Sequence, residues 1–484
     1  MKERTRFAPS PTGMLHIGSV RTALYAYFLA HQTGGQFVLR IEDTDQSREV
    51  DGGVKNIVGT MHALGLNPDE GVGLNASGEM VDEGPHAPYQ QSKRLSLYAK
   101  CANELLATGH AYRCFCTRER LEQLRDVQRV SGKPPRYDRQ CLGMTDAEVE
   151  ARLAADEPHV IRMRVPEGST TVHDVIRGDV VFHHAEVDDQ VLLKSDGFPT
   201  YHLAVVVDDH DMEITTVIRG EEWLPSTPKH LMLYAMFGWE PPRFAHVPLL
   251  LNADKSKLSK RQGDVAAETY LQRGYLSEAV INFVATLGYN PTGDREVYSK
   301  EELIELFDLS EVKRSGAIVN FEKLDWLNRQ YLQSWTANAV TERLRAWDGP
   351  LPAGVERIVE VERHRATTLR DILDAIPTYA SLPDYESALL VWKKSDARDA
   401  AEMLSAVRGY LDHYGDVADM GRFENDLKAW VASTGVSTGN VLWPLRIALS
   451  GRAVSPSPFE LVYALGKTEA MARVDAAIAR LKRT

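Results

Sequence analysis

Near the start of the chain the apolar positions change rhythm twice. Thr5–Pro9 reads as a short buried strand, and Ile17–Ala30 sets Val20, Leu24, Tyr27 and Phe28 at the spacing of one helix face. Gln36–Glu42 (QFVLRIE) predicts a second buried strand, which ends in the carboxylate cluster Glu42, Asp43 and Asp45. Strand, helix, strand in this order predicts a parallel α/β sheet with a right-handed crossover. Ligands of such sheets sit beyond the carboxyl ends of the strands, where Glu42 and the turn Pro9–Gly13 both fall.

Residues 68–88 are acidic and rich in glycine and proline, which predicts a surface loop. Leu95–Ala107 predicts a helix, and from there to about Leu193 the pattern departs from the sheet, with strand-like runs such as His159–Val165. Tyr201–Asp208 and Ile214–Arg219 then read as apolar strands, and Val247–Leu251 as a further strand running into a cationic loop. After Gln330 strand signals fade. Leu369, Ile372, Leu373 and Ile376 have helical spacing, as do Phe423, Leu427, Trp430 and Val431, and later Val474, Ile478 and Leu481.

The chain's 484 residues are too many for one core, so several domains are expected. Hydrophobic content of 43% and charged content of 26% are ordinary for a soluble globular protein. No run approaches the eighteen or so apolar residues of a membrane span, and the N-terminus lacks the apolar stretch of a signal peptide. Four cysteines at this length do not make a disulfide framework, which points to the cytoplasm. A net charge of −12 argues by itself against a nucleic-acid partner, but one basic track suffices in a multidomain chain, so RNA binding stays open.

Two segments carry the chemistry. Pro9-Ser10-Pro11-Thr12-Gly13-Met14-Leu15-His16-Ile17-Gly18-Ser19 places a histidine and small glycine turns where a strand gives way to a helix. Helix N-termini offer free N–H groups and a positive dipole end to a phosphate. Gly13 and Gly18 let the backbone approach closely, and His16 can donate to a phosphate oxygen. Lys257-Leu258-Ser259-Lys260-Arg261 is the cationic loop that could close over such a phosphate. An isolated H-x-G reads more readily as a capping histidine, and a lone lysine-rich loop as solvated surface. Their joint occurrence on either side of an α/β sheet pattern favours a nucleotide clamp.

Order and spacing of the two segments resemble the signatures of a class I aminoacyl-tRNA synthetase. Arg6-Phe7-Ala8-Pro9-Ser10, Arg40-Ile41-Glu42-Asp43-Thr44-Asp45, Pro199-Thr200-Tyr201-His202-Leu203-Ala204, Ile218-Arg219-Gly220-Glu221-Glu222-Trp223 and Trp443-Pro444-Leu445-Arg446-Ile447-Ala448-Leu449 resemble the glutamyl-tRNA synthetase family, across essentially the whole chain. The family signature carries a second histidine where this chain has Ser19, a place where glutamyl enzymes commonly have a small residue. The resemblance implies a Rossmann-like catalytic domain in two halves, 1–94 and 194–255, split by an inserted domain, 95–193, that grips the tRNA acceptor end. It further implies a loop and stem-contact region at 256–330 and a helical anticodon-binding module at 331–484.

The implied reaction joins L-glutamate to tRNA(Glu) through a glutamyl-adenylate, with ATP and its Mg2+ as co-substrate. His16, Lys257 and Lys260 are the implied catalytic residues. Gly13, Gly18, Glu222 and Ser259 join them around ATP. Arg6 and Arg219 suit the γ-carboxylate, since a planar guanidinium binds a carboxylate through two parallel hydrogen bonds. Tyr201 adds a hydroxyl, Glu42 takes the ammonium, and Ala8 and Ser10 line the pocket. Arg365, Arg446, Ser455 and Pro456 match the anticodon-contact region, and the family is commonly monomeric and needs tRNA before it activates glutamate.

Cys114-Phe115-Cys116, followed by Cys141, resembles the C-x-C and C-x-H zinc ligands of some family members, but Gly143 stands at the final position. Tyr137 is the substitute within reach of Cys141 in sequence, so zinc on Cys114, Cys116, Cys141 and Tyr137, or reduced thiols without metal, both remain open. The rival functions are a glutaminyl-tRNA synthetase, disfavoured by the helical last third, and a tRNA-binding paralogue without catalysis, disfavoured by the intact His16, Lys257 and Lys260.

Overall fold

The opening strand is β1 (Arg4–Phe7), which passes through the turn Ala8–His16 into α1 (Ile17–Gln32) and then β2 (Gln36–Leu39). The computed structural model describes residues 2–132, 134–258, 266–393 and 395–483. Two units divide the chain, Met1–Leu271 with Val280–Phe321, and Gln272–Ala279 with Glu322–Thr484.

In the first unit the chain continues through α2 (Gly53–Ala63), β3 (Glu70–Leu74), β4 (Met80–Glu83), α3 (Leu95–Ala107), β5 (Ala111–Cys114), α4 (Arg118–Val130) and α5 (Asp146–Ala154). Next come β6 (Val160–Met163), β7 (Ser169–Asp174), β8 (Gly178–His183), β9 (Val191–Leu193), α6 (Tyr201–Asp211) and β10 (Thr216–Gly220). Then follow α7 (Thr227–Phe237), β11 (Arg243–Val247), β12 (Leu250–Leu251) and β13 (Ala317–Ile318). An eight-stranded sheet runs in the order β4-β3-β2-β1-β10-β11-β7-β8, with parallel pairing except at its two edge hairpins. β1 lies between β2 and β10, so the strand order reverses beside it. That reversal leaves a crevice at the carboxyl ends of β1 and β10. Arg6 and Arg219 sit at those two ends.

α1 packs on this sheet and is buried on most of its circumference, which explains why its apolar spacing is denser than one stripe. Leu24 and Phe28 are fully buried, and truncating Leu24 to alanine costs about 2–5 kcal/mol of stability.

Three readings of the sequence need correction. Tyr201–Asp208 is not a strand but most of α6, whose residues Leu203–Asp209 are all buried. A run of valines enclosed on every side has no polar face, so periodicity cannot separate a buried helix from a buried strand. Residues 68–88 are not a loop but hold β3 and β4. Gly71 belongs there because a Cβ at its position would lie 2.1 Å from the Leu39 carbonyl oxygen, so its glycine marks close strand approach. Val247–Leu251 is two strands, because Pro248 lacks the N–H a continuous ladder needs. Within the stretch 95–193, β5, β6 and β9 form a separate antiparallel sheet, whereas β7 and β8 extend the large sheet beside β11.

The described residues of the second unit contain helices and no strand. Val355–Glu362, Leu369–Ala380, Ala397–His413, Met420–Ser433, Thr438–Ser450 and Pro458–Leu481 pack around Leu404, Val407, Phe423, Leu427, Leu445 and Val474. Thr368 and Ser457 start two of these helices with reciprocal side-chain caps, paired with Asp371 and Glu460.

Candidate active site

At the carboxyl ends of β1 and β10 lies a cavity of about 320 Å³. Arg6, Ala8, Ser10, Gly13, His16, Gly18, Glu42, Tyr201, Arg219, Glu222 and Lys257 all line it. The sequence therefore pointed to residues that the fold gathers into one cleft. Ser259 and Lys260 lie outside the described residues.

His16 is the N-cap of α1. Its Nδ1 accepts the Ser19 N–H at 3.2 Å, which leaves the ring proton on Nε2, 3.0 Å from Ser19 Oγ. Capping and cavity lining thus coincide in one residue. Gly18 makes room for the ring, since a Cβ there would meet His16 Nδ1 at 3.0 Å. The described residues on either side of 259–265 are tied to neighbouring strands and to the turn before α1. Lys257 bridges back to Leu251, and the Leu258 N–H donates to the Leu250 carbonyl at 2.9 Å. Ala266 bridges to His16, and the Ala267 N–H donates to the Leu15 carbonyl at 2.9 Å.

Arg21, on the same helix as His16, is a buried cation that sequence reading passed over. Its guanidinium donates to the carbonyls of Leu287, at 3.2 Å, and Pro248. Glu221 Oε1 accepts the Leu249 N–H at 2.8 Å, so the peptide leading into β12 is held from both sides.

At the other end of the cavity the charges are tightly ordered. Arg6 Nε donates to Asp209 Oδ1 at 3.0 Å, and Arg40 Nη1 donates to the same oxygen at 2.8 Å. Arg40, fully buried, also reaches Glu42 Oε1 at 3.3 Å. Burial pushes the Glu42 carboxyl up to about 7, against the pull of Arg40 and Arg6. Arg219 is fixed by four side chains: Nε on His246 Nε2 at 3.0 Å, Nη1 on Tyr201 Oη at 2.9 Å and His230 Nδ1 at 3.2 Å, and Nη2 on Thr227 Oγ1 at 2.8 Å. The Tyr201 ring packs on Trp223 with centroids 4.4 Å apart.

Asp208, Asp209, His230 and His246 were missed in the sequence, and Arg40, part of a family-like motif there, was given no role. The signal for the first pair was two adjacent acids closing an apolar run, which only a helical reading turns inward. Asp208 takes Gln91, Arg94 and Tyr98 at 2.8–3.0 Å and thereby ties α3 to α6.

Residues 2–326 match the family described as tRNA synthetases class I (E and Q), catalytic domain, and residues 334–478 match the anticodon binding domain. A glutamate–tRNA ligase of Chlorobium luteolum is 43% identical over 97% of this chain and 96% of its own length. The chain belongs to the glutamate–tRNA ligase family. Another such ligase, from Clostridioides difficile, is 52% identical over 69% of this chain and 68% of its own length. Among solved structures, a glutamate–tRNA ligase of Elizabethkingia meningosepticum in complex with its amino acid has a TM-score of 0.86 and 35% identity, covering 99% of this chain and 100% of that one.

Two further groups of residues singled out by sequence are not among those lining the cavity of this glutamate–tRNA ligase family member. Cys114, Cys116 and Cys141 place their sulfurs within 4.8 Å of one another. Tyr137 Oη touches the group, 3.3 Å from Cys114 Sγ and 3.5 Å from Cys116 Sγ. Tetrahedral zinc with Zn–S bonds near 2.3 Å sets sulfurs about 3.8 Å apart; Cys116 and Cys141 Sγ stand 3.5 Å apart, so three thiols and a phenol oxygen fit such an ion after small shifts. Burial pushes the Cys116 thiol up to about 11, so metal capture here would release protons.

In the helical unit Arg365 pairs with Glu460 at 2.7 Å and Glu362 at 3.4 Å. Ser455 and Pro456 line a cavity with Glu362 and Tyr379, while Arg446 is half-buried on the helix Thr438–Ser450 and does not line it. No helix among the described residues is long and apolar enough to cross a membrane.

Proposed function

We propose that the chain attaches L-glutamate to tRNA(Glu) in two steps at the cavity beyond β1 and β10. One observation carries the reading. His16 and Lys257 line the same cleft as Arg6, Glu42 and Arg219, so polyphosphate chemistry and amino-acid recognition share one space. The α-carboxylate of glutamate attacks the α-phosphorus of ATP, pyrophosphate leaves, and a mixed anhydride with AMP forms. A terminal ribose hydroxyl of the tRNA then attacks the activated carbonyl and AMP departs.

A carboxylate nucleophile needs no general base, so the protein contributes position and charge. His16 Nε2–H donates to a phosphate oxygen from the first turn of α1, and Lys257 and Lys260 neutralise charge that grows on the leaving pyrophosphate. Gly13, Gly18, Glu222 and Ser259 surround the nucleotide. Arg6, Arg219 and Tyr201 hold the γ-carboxylate, Glu42 holds the ammonium, and Ala8 and Ser10 close the wall. Magnesium travels with ATP. The cavity's carboxylates are Glu42 and Glu222, too few among the described residues for a dedicated cage, which suits an ion held by the phosphates. When bound, it supplies charge neutralisation between phosphates.

Residues 95–193 take the acceptor end and residues 331–484 read the anticodon, with Arg365, Arg446, Ser455 and Pro456 at the contact. Cys114, Cys116, Cys141 and Tyr137 hold a structural zinc ion. The protein works as a monomer in the cytoplasm, where its four free cysteines stay reduced. Charging purified tRNA isoacceptors with labelled amino acids tests the reading. Glutamate should appear on tRNA(Glu) and glutamine on neither glutamate nor glutamine acceptors; absence of glutamate transfer, or transfer of glutamine, would overturn it.

A further inference from the structure

Arg219 and Arg6 are both buried at the amino-acid end, yet they are compensated differently. Arg6 leans on the carboxylate of Asp209, and Arg40 shares Asp208, Asp209 and Glu42. Arg219 is 6% exposed and, among the described residues, forms no ion pair with a carboxylate. Its partners are neutral: two imidazoles, a threonine and a tyrosine.

The donor-only chemistry of guanidinium fixes the state of both imidazoles. His246 Nε2 and His230 Nδ1 face Arg219, so each must present a lone pair there. His246 then carries its proton on Nδ1, which donates to Asp174 Oδ2 at 2.6 Å. His230 carries its proton on Nε2, 3.1 Å from His202 Nδ1. Asp174 stands one ring further out and is engaged by the His246, Ile176 and Arg177 N–H groups at 2.8–3.0 Å. His230 and His246 are at most 1% exposed, and burial holds both rings below their usual range. Phe244 covers the guanidinium with its ring centroid 5.5 Å away and adds no charge.

A carboxylate in place of either imidazole would hold the guanidinium as firmly but cancel its charge. A neutral acceptor fixes the geometry and leaves the charge for the ligand. We infer that His230 and His246 are specificity-determining positioning residues: they orient Arg219 without neutralising it, so the incoming side chain must itself supply the negative charge. This rests on the reading that Arg219 meets the γ-carboxylate of glutamate. An amide such as glutamine could accept the remaining Nη2 hydrogen bond but would leave a buried cation without a counter-ion.

Asparagine and aspartate both place an oxygen near the position of His230 Nδ1 and differ in charge alone, so H230N and H230D form the test pair. Activation of glutamate and of glutamine is measured for each variant with tRNA present, alongside thermal melts. H230N should lower kcat/KM for glutamate by no more than about tenfold and keep the glutamate-to-glutamine ratio near that of the parent protein. H230D should lower kcat/KM for glutamate by about 10²–10³-fold, the size of one screened charge pair, and reduce the ratio by a similar factor. The ratio reports on folded molecules only, so partial misfolding does not mimic the effect. If H230D is wholly unfolded, H246Q and H246E repeat the comparison at the second acceptor. Equal ratios in the neutral and charged variants would overturn the inference. Failure of the parent protein to activate glutamate would instead overturn the reading beneath it.

Discussion

Arg6 Nε donates to Asp209 Oδ1 at 3.0 Å, and both side chains are 4% exposed. The same oxygen receives Arg40, so one carboxylate from α6 sets two guanidiniums, of which Arg6 lines the cavity and Arg40 lies fully buried behind it. Asp209→Asn keeps an oxygen but removes the charge. Breaking a buried charge cluster in this way costs about 3–5 kcal/mol. Chemical denaturation should show that loss, and kcat/KM for glutamate should fall at least a hundredfold. Unchanged stability would mean that Asp209 does not hold these cations.

Glu42 gives a pH signature. Burial raises its carboxyl from the ordinary value near 4.5 to about 7. Only the ionised form pairs with an ammonium, so KM for glutamate should rise as pH falls below about 7, by up to tenfold per unit. The sign for stability runs the other way. The folded state binds the extra proton between pH 4.5 and 7, so the stability contributed by Glu42 is lost as pH rises through that window and the full cost of burying its charge stands above it. Glu42→Gln should therefore abolish glutamate activation yet raise the melting temperature at pH 8, with a smaller gain at pH 5. A gain that is equal at both pH values would contradict the assignment.

ATP–pyrophosphate exchange should require tRNA, and tRNA affinity should weaken steeply between about 50 and 200 mM salt because phosphate contacts release counterions. Robust exchange in the absence of tRNA would set this chain apart from the behaviour its family implies.

The thiol cluster makes a stoichiometric prediction. Protein freed of loosely held metal by chelator and dialysis should retain about one zinc per chain, and Cys116→Ser should lose it together with some thermal stability. Zinc content near zero in the parent protein would leave the cluster as reduced thiols packed against Tyr137.

How far the sequence could be read followed from local physics. α1, α3 and the strands beside them carry their periodicity openly, and the phosphate turn and cationic segment are motifs whose chemistry depends on residue type. α6 was misread because Leu203–Val207 is enclosed on all sides, and enclosure erases the alternation that separates helix from strand. That error hid Asp208 and Asp209, since only a helix turns both acids inward. His230 and His246 were illegible for another reason. They come from α7 and β11, and nothing in either segment announces that both rings converge on Arg219. β3 was lost because Gly71 looks like a loop residue until its neighbour's carbonyl is known to press on it.

Single-turnover formation of glutamyl-adenylate by His16→Ala, with tRNA bound, tests the shared cleft most directly. His16 caps α1 and lines the cavity with Lys257, so its loss should slow adenylate formation by about 10²–10³-fold. Affinity for tRNA should stay near that of the parent protein. A rate within threefold of the parent would mean that His16 does not touch the reacting phosphates and that the chemistry lies elsewhere.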